Sequence, residues 1–203
     1  MPPDATATKA RLLDAAVAEF ARYGVAGARV DRIAESAQAN KRLIYLHFGN
    51  KERLFQIVVE RALAELADAV PFDADDLPGY AGALFDHFVG HPHLLRLAAW
   101  KQLEAPEATA AEVEAYRPKV EALTRAQHGG RVAAGVHPVD LLALIVGMVG
   151  AWFDASPALW TLAGGDPRSP ERLARHRAAV VTAVRALTRT RIDLGELLSP
   201  EQQ

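Results

Sequence analysis

Two groups of residues have types and spacing that could do chemistry. In "FDHFVGHPHLL", His87 and His91 are four apart, the separation that puts two imidazoles on one face of a helix, and His93 follows closely. Such a pair suits metal ligation, and a metal-dependent enzyme built on a helical bundle is one reading of it. No Glu-x-x-His accompanies the three, the chain has 0 cysteines, and no phosphate loop or nucleophile motif is evident. Gly90 and Pro92 are expected to end the helix between the histidines and splay their side chains. The expectation is therefore no catalytic residue, no metal and no cofactor. The histidines then mark a helix end, where an imidazolium complements the dipole.

The second group lies in "NKRLIYLHFGNKE", residues 40–52. On a helix, Ile44 and Phe48 share one face and can pack on Leu13, Phe20, Ile33 and Ala37. Leu46 points nearly opposite, flanked by Arg42 and Leu43, with Tyr45 and His47 at the margins. Lys41, Arg42, Lys51 and Arg53 bracket the stretch. An outward face of aliphatic, phenolic and imidazole groups between cations fits double-stranded DNA. The major groove is about 12 Å wide and admits a helix. The helix starts at Lys41–Arg42 and at Lys51 favour phosphate, because free amides and the dipole point there. The alternative is a helical interaction module without DNA binding, in which Tyr45 and Leu46 are core.

The elements that must position these residues are helices. Strand signals are nearly absent and the chain is expected to be all-α. Leu12, Leu13, Ala16, Val17 and Phe20 follow helical spacing, and Gly24 should stop that helix. A short helix follows over Val30–Ala37. Asn40 should cap the next helix, Gly49 end it, and Asn50 cap another from Lys51 to about Val70. A short helix, a turn and a second short helix form a helix-turn-helix whose second helix can enter the groove. "PFDADDLPG" (71–79) reads as a linker. Five helices are expected beyond it, roughly at 78–89, 93–104, 109–128, 138–155 and 170–190. Pro118 should kink or split the third, 156–170 should be a loop or a broken short helix, and "SPEQQ" at the end should fray. The organisation expected is a helix-turn-helix domain over 1–53 and a second helical domain over 54–203, connected by the helix at 51–70.

Half of the 203 residues are apolar, enough for one sizeable core or two small ones. The lack of cysteine suits a reducing cytoplasm. "MPPDATATKARLL" has no apolar signal region, and the longest apolar run, Leu141–Phe153, is too short to span a bilayer. A cytoplasmic protein without a membrane partner is expected. Net charge is −2, but it is unevenly spread. Residues 1–53 hold nine Lys/Arg and six Asp/Glu, a net of +3, which leaves −5 for the rest. The basic segment is the one with the candidate DNA surface.

Farther along, Ala143, Gly147 and Ala151 recur every four residues, with Gly150 widening the gap. Ala179 and Ala183 make a similar stripe beside Val180, Val184 and Leu187. Paired with symmetry mates, two such helices would build an isologous four-helix interface. Packing within the chain would use the same stripes.

Residues 9–55 resemble the DNA-binding domain of the tetracycline-repressor (TetR) family of bacterial transcription regulators. The resemblance lies in "ARLLDAAVAEFARYGVAGARV" and "DRIAESAQANKRLIYLHFGNKERLF". It implies a homodimer that binds a palindromic operator and is released by a small-molecule effector. The family's phosphate-clamping tyrosine and lysine match Tyr45 and Lys51, and its base-contacting helix matches 40–47. The implied DNA-binding residues are Asn40, Lys41, Arg42, Leu43, Tyr45, Leu46, His47 and Lys51. Arg42 is expected at phosphate, with Leu43 and Leu46 at thymine methyls.

Three positions depart from the family's pattern: Ala28-Arg29 stand where a threonine often opens the second helix, Gln38 replaces the turn glycine, and Arg42 replaces a small residue. The resemblance also implies dimerisation through the last two long helices, near 138–155 and 170–190. It implies an effector cavity among the C-terminal helices, for which Phe85, Phe88, Trp100, Tyr116 and Trp152 are candidate liners, with His87, Arg96 and Gln102 as polar ones.

Overall fold

A computed structural model describes residues 5–189, which form ten helices and no strand. In chain order they are α1 (Ala5–Gly27), α2 (Val30–Ser36), α3 (Lys41–Phe48), α4 (Lys51–Ala69), α5 (Leu77–Gly90), α6 (Pro92–Glu104), α7 (Ala110–His128), α8 (Pro138–Gly150), α9 (Pro157–Ala163) and α10 (Pro170–Thr188). The expected frayed end, 199–203, lies outside the described residues. The chain divides into two compact units, residues 1–71 with 86–116, and residues 72–85 with 117–203.

The first unit is built on a helical repeat of apolar residues. Leu12, Ala16 and Phe20 on α1 are fully buried, as are Ile33 on α2, Ile44 on α3, and Leu54 and Val58 on α4. Phe48, Phe55 and Leu97 of α6 complete this core. Phe20 meets Phe55 edge to face at 5.2 Å. Each such large side chain contributes about 1.5–3 kcal/mol on burial, so these nine, Ala16 aside, hold short helices that could not stand alone. In the second unit the buried residues include Leu77, Leu84 and Phe85 of α5, Leu123 of α7, Leu141, Ile145 and Val149 of α8, and Val180 and Val184 of α10. The Gln127 side-chain amide donates to the carbonyls of Ala133 and Val136 at 2.9 and 2.8 Å and ties down the α7–α8 loop.

Several boundaries differ from those expected. The expected stop at Gly24 is present, since its backbone is non-helical (φ 67°, ψ −172°), but a further helical turn follows it directly and carries α1 on to Gly27. Helix α5 starts inside the expected linker, because the Asp76 carboxylate accepts the Gly79 N–H at 2.9 Å and opens a helix at Leu77. Pro118 does not split α7, which runs unbroken over 19 residues. Pro118 lies on an exposed part of the helix, where its ring displaces no packed neighbour. Helix α8 ends at Gly150, short of 155, and Ser156 caps the separate α9 by accepting from Ala158 N–H.

Candidate DNA-binding surface

The helix-turn-helix is assembled by side chains bonded to main chain. Glu19, on α1 and only 9 % exposed, accepts from Arg29 N–H at 2.8 Å and from the Arg32 guanidinium at 2.8 and 2.5 Å. It thereby caps the start of α2. That bond to Glu19 raises the Arg32 pKa above its ordinary value. The turn from α2 to α3 passes through Gln38, the non-glycine residue at φ 50°. Arg11 of α1 donates to the Ala37 carbonyl at 3.2 Å and anchors this turn. Asn40 caps α3 by accepting from Arg42 N–H, Gly49 follows α3 at φ 83°, and Asn50 caps α4 by accepting from Arg53 N–H. The capping expected from the sequence is present at both asparagines.

On α3, Ile44 and Phe48 face the core while Leu46 is 73 % and Tyr45 48 % exposed. Lys41 and Arg42 are also exposed. Lys41 pairs with Asp31 of α2 at 2.8 Å, and that hydrogen bond raises its pKa above the ordinary value. Arg42 has no side-chain partner among the described residues. Two residues sit differently from the rest of the outward face. Leu43 is half-buried against the core, and His47 leans edge-on against Phe48 at 6.0 Å. Lys51, at the start of α4, donates to the Ala28 carbonyl at 3.3 Å. The surface is thus a protruding leucine and phenol ringed by Lys41, Arg42 and Lys51, on a helix whose other face is locked.

The histidine group is arranged otherwise than expected. Helix α5 ends at Gly90 and α6 opens at Pro92, as expected, but the rings of His87 and His91 stack with centroids 4.2 Å apart instead of splaying, and His91 Nδ1 bonds back to the His87 carbonyl at 2.9 Å. Burial and the neighbouring imidazoles push the pKa of His87 down, and burial, His91 and Arg96 do the same for His93. These two are therefore poor imidazolium sites. Among the described residues, no group of three His, Asp or Glu is placed to hold a metal ion, and no helix is long and apolar enough to cross a membrane.

The five aromatic residues expected around an effector fall in both units. Phe88, Trp100 and Tyr116 belong to the first, and Phe85 and Trp152 to the second. Trp100 packs on the Gly24 backbone. An open groove of about 430 Å³ on the first unit, lined by α1 and α6 residues including Asp14, His93 and Arg96, contains none of the five. In the second unit, the His176 ring lies between Phe85 and Trp152, at 5.7 and 5.4 Å, and the Arg172 guanidinium lies 3.9 Å over the Trp152 ring. Burial and then Arg172 lower the His176 pKa, against the opposing bond to the Met148 backbone. Arg172 Nε and His176 Nε2 are buried without a hydrogen-bond partner among the described residues. The sequence reading missed this pair. Its signal is the i, i+4 spacing of two polar residues on an alanine-rich helix.

The family profile described as "Bacterial regulatory proteins, tetR family" matches residues 12–58, and "Tetracyclin repressor-like, C-terminal domain" matches residues 76–186. The chain belongs to the tetR family. As a member it is a DNA-binding transcriptional regulator, and the tetR-family profile covers the whole of α2 and α3. Among similar proteins, the HTH-type transcriptional repressor SCO4008 of Streptomyces coelicolor is 44% identical over 169 residues, 80% of this chain and 88% of that one. The repressor NicS of Pseudomonas putida is 33% identical over 103 residues, 47% of this chain and 49% of that protein. The crystal structure of the putative regulator SCO4942 of Streptomyces coelicolor superposes with a TM-score of 0.78 at 40% identity, covering 89% of this chain and 98% of that one.

Proposed function

We propose that this tetR-family regulator is a cytoplasmic homodimeric repressor that binds a palindromic operator and is released by a small apolar or aromatic effector. One observation carries the DNA-binding part. Leu46, 73 % exposed, stands with Tyr45 between cations on a helix whose opposite face is buried. Exposed apolar groups of this kind, set in a basic frame, are explained by thymine methyls and phosphates. In this reading residues 1–53 read DNA and 54–203 hold the effector and dimer surfaces. Asn40, Lys41, Arg42, Leu43, Tyr45, Leu46, His47 and Lys51 make the contacts. SCO4008 and NicS are both named repressors, which supports that sign of regulation.

The dimer surface is assigned to α8 and α10. Their exposed faces carry Ala143, Leu144 and Gly147, with Ala151 just past the end of α8, and Ala179 and Ala183. The effector site is assigned to the second unit around Phe85 and Trp152, where the unpartnered Arg172 Nε and His176 Nε2 offer donors or acceptors to a polar group on an aromatic ligand. Trp100 is left out of this assignment because its ring is occupied with Gly24.

Selection of bound fragments from a random DNA pool tests the reading. A two-fold symmetric motif with half-sites one duplex turn apart, or a multiple of it, is the expected result. A pool that shows no enrichment would remove the DNA role.

A further inference from the structure

The kink in α1 is held by a carboxylate from a helix distant in sequence. Past Gly24 the backbone leaves helical geometry (φ 67°, ψ −172°), so the amides that follow begin a new helical turn without partners behind them. Glu104, at the end of α6, supplies them. Its Oε2 accepts from Val25 N–H at 2.5 Å and from Ala26 N–H at 3.0 Å. Trp100, one turn earlier on α6, covers the Gly24 backbone. A Cβ there would lie 2.8 Å from its ring and 2.7 Å from Glu104 Oε1. Lys101, 8 % exposed, fixes the end of α6 by donating to the carbonyls of Ala105 and Glu107 at 2.6 and 2.7 Å and pairing with Glu112 at 3.3 Å.

The next residues of the same segment are tied to α1, to α2 and to Lys51, the proposed phosphate contact on α4. The Gly27 carbonyl accepts from Arg32 at 3.0 Å, the Ala28 carbonyl accepts from Lys51, and Arg29 N–H is bonded to Glu19. Six consecutive residues, 24 to 29, are thus gripped on one side by α6 and on the other by α1, α2 and α4. The Glu104 contact is exposed, so water can replace it at small cost to stability. What water cannot replace is the fixed relation it imposes between α6 and the start of the helix-turn-helix.

We propose that Glu104 is a positioning residue for operator recognition, acting through the Val25 and Ala26 amides to set where the recognition helix stands with respect to α6. This rests on the operator-binding reading above. A dimer on a palindrome needs its two recognition helices at one separation, whereas a single half-site does not. Loss of the tie therefore weakens binding to the full site selectively.

The experiment uses the full chain and the DNA that the wild-type protein selects from a random pool. Affinities are measured for the full palindrome and for one half-site. Glu104→Ala is expected to lose about tenfold on the full site, a coupling of ordinary size, with half-site affinity unchanged. Glu104→Gln keeps an amide oxygen as acceptor and should recover most of the loss. Equal loss on both DNAs, or no loss on either, overturns the proposal. If Glu104→Ala does not fold, the ratio for Glu104→Gln and the amide-exchange protection of Val25 and Ala26 decide. Unprotected amides in the wild-type chain, or unfolding of both variants, also overturn it. Failure of the wild type to select a palindrome is a separate result, seen before any variant is made, and it removes the operator reading itself.

Discussion

The Lys51 ammonium rests on the Ala28 carbonyl at 3.3 Å, half-buried at the start of α4. That distance is at the long end for an N–H···O bond, so a phosphate can take the ammonium over at little cost. Lys51→Ala should weaken binding to all DNA sequences about equally and reduce the dependence of log affinity on log salt by about one unit. Tyr45→Phe should weaken binding in the same sequence-independent way. Titrations of two unrelated duplexes at several salt concentrations check both. An unchanged salt slope for Lys51→Ala would remove it from the phosphate contacts.

Leu46 tests readout apart from affinity. Because it is 73 % exposed, Leu46→Ala should leave the melting temperature close to that of the wild type. It should alter preference at one or two base pairs per half-site, by about 1–3 kcal/mol each. The check is a repeat of the DNA selection with the variant, beside a thermal melt. A steep fall in melting temperature would place Leu46 in a packed interface.

The sequence carried this part of the molecule well, for a physical reason. The periodicity of α1 to α4 and the asparagine caps are local signals, and Asn40 and Asn50 bond where their positions implied. The face of α3 was legible because Ile44 and Phe48 are one turn apart. Long-range contacts were not legible. Nothing near Gly24 in sequence announces Glu104, 79 residues away from Val25. Pro118 does not split α7, because the cost of proline depends on whether its helix is packed or exposed there. Helix α5 was legible from 78 onward, and its first turn starts at Leu77 because Asp76, read as part of a turn, acts as its cap.

Gln38 gives a stabilisation prediction. It holds φ 50°, a left-handed conformation costing roughly 1–2 kcal/mol for a residue with a Cβ. Gln38→Gly should remove part of that strain and raise stability by about 0.5–1 kcal/mol, the glycine's extra unfolded-state entropy taking back the remainder. The reverse change, Gly49→Ala at φ 83°, should cost about 1 kcal/mol through backbone strain alone, since no atom lies within 4 Å of the added Cβ. Chemical denaturation of the two variants gives both signs. A less stable Gln38→Gly would mean that the Gln38 side chain contributes more than its backbone costs.

Gly147 is the test of the dimer. It lies exposed on α8, and a side chain there meets nothing within 4 Å in the isolated chain. Gly147→Leu should therefore leave each protomer folded but separate the protomers, lowering operator affinity with it. Sedimentation of the variant against the wild type reads this directly. An intact dimer would move the interface away from the Ala143–Gly147–Ala151 face.

The histidine corner at the α5–α6 junction predicts how stability changes with pH. Folding lowers the pKa of His87, mainly by burial and then by His91 and His93. It lowers that of His93 by burial, His91 and Arg96, against a smaller opposing effect of Glu65. The unfolded chain, with histidines near the ordinary 6.5, then binds more protons than the folded one below that value. Stability is full above about pH 6.5 and is lost as pH falls through it towards the folded-state values, a range still above the main titration of carboxylates. Replacing both residues with asparagine removes two of the groups responsible. His176, whose pKa is lowered by burial and by Arg172, remains and keeps part of the slope. Thermal midpoints between about pH 5 and about pH 8 should therefore fall less steeply on acidification in the double variant than in the wild type. Parallel curves would mean that His87 and His93 titrate alike in the folded and unfolded chains, and that their half-buried setting beside His91 has no energetic consequence.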